Sequence, residues 1–126
     1  MPTKREGTGP GKLLDWIGSS KKDLDAFPQQ VKREIGVALL VAQHGGKHPK
    51  TKPLKGFGSG VLEVVEDHDG DTYRAVYTVR FTSYVYVLHA FQKKSKRGIK
   101  TPKSDLDLIK QRLADAAQIH KLKRRP

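Results

Sequence analysis

Apolar residues recur along this chain with two different periods, and the switches between them mark out the elements. Residues 12–17 carry Leu13, Leu14, Trp16 and Ile17 in a short run that predicts an edge strand. Ser19 and Ser20 are good caps for a short helix over residues 21–27. Pro28 suits a helix first turn, where a missing N–H costs nothing. From there Val31, Ile35, Ala38, Leu39 and Ala42 repeat at helical spacing until Gly45 and Gly46 end the run. A two-helix hairpin over residues 20–44 is the expected result.

Residues 47–60 show no period and predict an irregular connection, made basic by Lys50, Lys52 and Lys55. A period of two then takes over. Residues 61–66 form an apolar run interrupted by Glu63, and residues 67–71 hold an Asp-Gly hairpin signal. Over residues 72–81, Tyr73, Ala75, Tyr77, Val79 and Phe81 alternate with Arg74, Val76, Thr78 and Arg80. Thr82 and Ser83 turn the chain into a last strand over residues 84–91. Ser104 is placed to cap a final helix, with Asp105 and Asp107 at its positive end and Leu106, Ile109, Leu113 and Ala116 as its apolar stripe.

The order is β-α-α-β-β-β-α, an α+β class. The last three strands are joined too tightly for parallel crossovers, so they should form an antiparallel meander. The helical hairpin and the terminal helix are expected to cover one sheet face, leaving the other concave and wet. Residues 1–11 read as a flexible Gly/Pro/Lys tail, residues 12–120 as a single domain and residues 121–126 as a basic tail.

Composition narrows the function. The 25 Lys+Arg against 13 Asp+Glu give a net charge of +12. Such a field attracts polyanions, nucleic acid first among them. No apolar run approaches the roughly 18 residues of a membrane span, and residues 1–12 lack a secretory apolar core. With no cysteine there is no disulfide, thiolate nucleophile or Cys-based zinc site. A cytoplasmic domain with no membrane partner, no metal and no small-molecule cofactor is the expectation.

Three constellations could carry chemistry. Lys93, Lys94, Lys96 and Arg97 begin where a rigid strand ends, with Lys100 and Lys103 beyond; they can grip phosphates or simply be solvated. Arg74 lies inside a strand where an unpaired charge is expensive, so it should line a wet face or pair with Glu63 on the neighbouring strand. His89 is suited to proton transfer near neutral pH, although a lone strand histidine is commonly structural. Tyr73, Tyr77, Tyr84, Tyr86, Phe57 and Phe91 offer a stacking platform or, more simply, a core. The segment from Gly56 to Gly60 lacks phosphate-loop spacing and precedes a strand.

The segments KPLKG, YRAVY and LHAFQKKSK, together with the N-terminal WIGSSKKDLDAFP, resemble the phage-derived toxin family of the RelE/ParE toxin–antitoxin superfamily, on its RelE/HigB-like side. The likeness spans residues 12–118. It implies a RelE-like twisted antiparallel sheet with a helical hairpin and a terminal helix. It also implies a ribosome-dependent, metal-independent mRNA endonuclease that inhibits translation by 2′-OH attack, neutralised by a helix-turn-helix antitoxin. On this resemblance Arg74 would hold the scissile phosphate, and Lys94 would stabilise charge or protonate the leaving oxygen. Lys93, Lys96 and Arg97 would grip RNA backbone, with Lys55 and Arg80 in the same RNA-binding set. RelE has lysines on the strand corresponding to residues 61–66, where Glu63 and Val65 stand here, and a tyrosine beyond the basic loop that this chain lacks. His89 and Glu63 are therefore the candidates for the base. The ParE branch, which inhibits DNA gyrase without nuclease chemistry, is the alternative, and a non-toxic RNA-binding module is a third reading. Alanine at Arg74 or at Lys94 is expected to relieve toxicity without unfolding the chain.

Overall fold

A computed structural model of the chain describes residues 11–93 and 101–124. The elements follow as β1 (Leu13–Trp16), α1 (Ser20–Asp25), α2 (Gln29–Gln43), β2 (Thr51–Pro53), β3 (Val61–His68), β4 (Asp71–Thr78), β5 (Tyr84–Lys93) and α3 (Lys103–Lys123). Among the described residues the strands form one sheet in the order β1-β5-β4-β3-β2. The β3-β4-β5 meander is antiparallel, as its short connections require. Strand β1 joins the edge in parallel with β5, Leu13 opposite Tyr84 and Trp16 opposite Val87. Asp69 and Gly70, with φ of 50° and 83°, make the two-residue β3–β4 turn. Positive φ at both central residues is the geometry that an Asp-Gly pair favours.

Several expectations need correction. The segment expected to be irregular contains β2, whose Thr51 pairs with Val64 and Pro53 with Leu62. Proline is tolerated there because β2 is an edge strand. Strand β4 ends at Thr78, and Phe81 turns away from the Tyr73 side to meet Tyr86 and His120 edge-on and tilted. Pro102, not Ser104, stands at the N-cap of α3, and the helix runs on through Lys123 into the expected basic tail. The expected N-terminal tail falls outside the described residues except for Gly11.

The three helices do not share one face of the sheet, and the other face is not left open. Helices α1 and α2 cover one face, where Leu24, Val31, Ile35 and Leu39 pack with Val64, Ala75, Tyr77, Val85 and Val87. Helix α3 covers the opposite face, where Ile109 and Ala116 pack with Val61, Val76, Tyr86 and Leu88. The sheet therefore carries apolar residues on both faces, and each face needs a cover. No described helix is long and apolar enough to cross a membrane.

Candidate functional site

Polar residues gather around the N-terminal turn of helix α3. Register fixes who shares that face. Lys52 of β2 lies opposite Glu63 of β3, Glu63 opposite Val76 of β4, and Val76 opposite His89 of β5. Two residues along β4, Arg74 lies opposite Phe91, and two further along β5 is Lys93. Alternation puts all of these on the α3 side.

Arg74 and Glu63 form a buried ion pair, Nη1 to Oε2 at 2.9 Å, with side-chain exposures of 5% and 2%. Of the two placements expected for this arginine, a wet face or a carboxylate partner, the structure has the second. The Thr101 hydroxyl, just ahead of α3, donates to the same Glu63 oxygen at 3.1 Å. Glu63 is thereby committed to orienting Arg74. Lys93, though terminal in its strand, is also buried. Burial and then the charge of Arg74 hold its ammonium below the ordinary lysine pKa, while Glu63 pulls the other way and Lys52 adds to the lowering.

His89 is buried and its Nε2 lies 2.7 Å from Asp105 Oδ1, in the first turn of α3. Its ring stacks on Phe91 at 4.6 Å between centroids and 18° between planes. The buried Nδ1 accepts from no described group. An Nε2–H tautomer, donating to Asp105, leaves Nδ1 with its lone pair.

The sequence-predicted set is thus only partly gathered. Arg74, Glu63, His89 and Lys93 come together on one face. Arg80 is spent elsewhere: its guanidinium donates to Ser59 O at 3.0 and 3.2 Å and to Phe57 O, pinning the 57–59 loop. Lys55 is exposed in a turn after β2. Lys94, Lys96 and Arg97 lie outside the described residues. Tyr73, Tyr77 and Tyr86 are core residues, while Phe91 is half-buried beside the site. Lys52, Thr101 and Asp105 join the site without a sequence signal that marks them as site residues. Asp105 was legible only as an acidic residue favouring a helix N-terminus.

Residues 22–114 match the model of a family described as phage-derived protein Gp49-like. No curated protein sequence matches the chain. Among solved structures, a mutant of the E. coli toxin RelE in the free state is similar, with a TM-score of 0.54 and 14% identity, over 83% of this chain and 97% of that one. The RelBE2 toxin–antitoxin complex from Mycobacterium tuberculosis aligns with a TM-score of 0.47 and 14% identity, over 66% of this chain and 99% of that one. The first of these likenesses establishes a RelE-like fold, and the family match covers most of the sequence. The chain belongs to the phage-derived Gp49-like protein family.

Proposed function

We propose that the chain is the toxin of a type II toxin–antitoxin pair and cleaves mRNA on the ribosome, by attack of a ribose 2′-OH on the adjacent phosphate. The observation that carries this reading is the shared face of Arg74, Lys93 and the His89–Asp105 pair, two cations beside an oriented imidazole. The fold shared with a bacterial toxin supports the toxin assignment. The net charge of +12 supports a polyanionic target.

On this reading Arg74, aimed by Glu63, binds the non-bridging oxygens of the scissile phosphate and stabilises the charge that builds there. His89 Nδ1, a buried atom that RNA binding must first expose, takes the 2′-OH proton while Asp105 holds the ring and balances the imidazolium. The new O–P bond forms as the P–O5′ bond breaks. Lys93, with its lowered pKa, hands a proton to the departing 5′ oxygen. The products are a 2′,3′-cyclic phosphate and a 5′-hydroxyl, and the scheme calls on no metal or cofactor. Lys94, Lys96, Arg97 and Lys55 would grip the RNA backbone around this centre. The neutralising partner would be a helix-turn-helix antitoxin, and the site of action the cytoplasm.

Primer extension on transcripts after brief induction tests the proposal. Cuts inside translated codons, dependent on ribosomes, are the expected result. Intact transcripts with arrested DNA replication would reject it in favour of gyrase inhibition.

A further inference from the structure

Strand β5 does not alternate along its whole length. Val76 lies opposite His89, yet the next residue, Tyr77, lies opposite Val87, so Leu88 is an extra residue in β5. Ahead of it, Val85 and Val87 pack on the α2 side and Tyr86 and Leu88 on the α3 side. Unbroken alternation would send His89 to the α2 side with Val87. The bulge resets the parity, and His89 meets Asp105 on the α3 side instead.

The bulge is held from outside the meander. Val87 O accepts from Ile17 N at 2.9 Å and from the buried Ser20 hydroxyl at 3.0 Å. Leu88 O accepts from Arg112 Nη1 of α3 at 3.0 Å. Arg112 Nη2 also donates to Ser19 Oγ at 3.1 Å. The guanidinium fits this slot because residue 18 is glycine. Its φ is +57°, and a Cβ there would lie 2.8 Å from Arg112 Nε. Arg112 and Asp105 are two helical turns apart on one face of α3. The helix thus grips His89 twice, by its ring and by the carbonyl just before it.

We propose that Arg112 is a positioning residue for His89, holding the Leu88 carbonyl so that the bulge turns the imidazole onto the face of Arg74 and Glu63. Its catalytic consequence rests on the RNA-cleavage reading above; its structural consequence does not.

The test uses Arg112→Ala and Arg112→Lys in the full chain, with Lys110→Ala, exposed on α3, as the control. Two quantities are read: the ring 15N signals of His89 through a pH titration, and kcat and KM for ribosome-dependent cleavage. Arg112→Ala should move the His89 signals and lower kcat about 10- to 100-fold with KM nearly unchanged, since small misplacements of a reacting group cost that much. Arg112→Lys, which keeps a donor for Leu88 O, should recover part of both, and Lys110→Ala should change neither. Unmoved His89 signals in a folded Arg112→Ala protein, or an unchanged kcat in a cleaving one, overturns the proposal. Should Arg112→Ala fail to fold, Gly18→Ala displaces the guanidinium without deleting it and is judged by the same two readouts. If the wild-type chain cleaves no RNA, the cleavage reading fails, and the His89 signals alone decide the positioning role.

Discussion

Replacing Arg74 by alanine should cost far more stability than its candidate role in RNA contact suggests. The substitution removes the guanidinium 2.9 Å from a Glu63 carboxylate that is 2% exposed. Among the described residues, the neutral Thr101 hydroxyl at 3.1 Å is then that carboxylate's remaining hydrogen-bond donor. Breaking a buried pair from one side costs about 3–5 kcal/mol, because the other charge stays buried. Lys93 lies close enough to feel the charges of both partners, and it is drawn toward the vacated carboxylate. The expected loss is therefore near the lower end, about 3 kcal/mol. At roughly 3–6 °C per kcal/mol for a domain of this size, Tm should fall by about 9–18 °C. Removing both charges with Glu63→Leu and Arg74→Met should restore most of the loss, since an apolar pair avoids the desolvation penalty. Urea denaturation of wild type, both single variants and the double variant gives the cycle. A cost under about 1 kcal/mol for Arg74→Ala, or a double variant less stable than either single, refutes the reasoning. The cycle also repairs the expectation that alanine at this position would relieve toxicity without unfolding. Loss of toxicity in Arg74→Ala alone mixes stability with chemistry, whereas a folded, non-toxic double variant separates them. A folded double variant that remains fully toxic removes Arg74 from the mechanism.

Three further outcomes follow. Asp105→Asn keeps the size of the side chain but weakens the hold on His89 Nε2, so on the proposed reading cleavage in a translation extract should fall about 10-fold or more while Tm moves little. His120 is buried with Nδ1 2.9 Å from the Tyr86 hydroxyl, and burial, then Arg124, Lys123 and Lys12, lower its pKa from 6.5. The unfolded chain then binds the proton more readily, so stability is full above pH 6.5 and is lost as pH falls below it. Urea midpoints between pH 8 and pH 5 should drop in wild type and flatten in His120→Phe; parallel slopes in the two proteins would reject this. Gly70→Ala puts a Cβ at φ 83° in the β3–β4 turn and should cost about 1–2 kcal/mol, visible as a lower Tm.

The elements were legible because their periods are clean. Val31, Ile35, Ala38, Leu39 and Ala42 are all buried on α2, and the Asp-Gly turn sits at the expected place. Strand β2 was not legible, because three edge residues, one of them proline, carry no period; their pairing with β3 is a tertiary fact. The placement of α3 is hidden in the sequence for a similar reason. Helical spacing says that α3 has an apolar stripe, but not which face receives it. The strands carry that information: Val61, Val76 and Leu88 are as apolar as Val64, Ala75 and Val87 and are buried on the other face. At the site, the cost of burying an arginine left Arg74 a wet face or a carboxylate partner, and only the cross-strand packing selects Glu63. The meeting of His89 with Asp105 depends on one inserted residue, which shifts the face of everything after it.

That dependence bears on how departures from RelE are weighed. Comparing strand with strand, β3 lacks the lysines expected there and carries Glu63 and Val65 instead. A sheet face, however, is a two-dimensional surface. Residues directly opposite one another on adjacent strands lie about 4.5–5.5 Å apart, closer than successive same-face residues along one strand. A charge missing from one strand can therefore come from the next. Lys52 stands opposite Glu63 from the β2 side, and Lys93 approaches the same carboxylate and Arg74 from β5. On the proposed reading, those two lysines and His89 can supply from the flanking strands the charge and proton transfer that β3 does not. Glu63 then serves the arginine and not the substrate. Absent strand lysines weigh against nuclease chemistry only if catalytic groups must keep their place in sequence, and what cross-strand register preserves is their place on the surface.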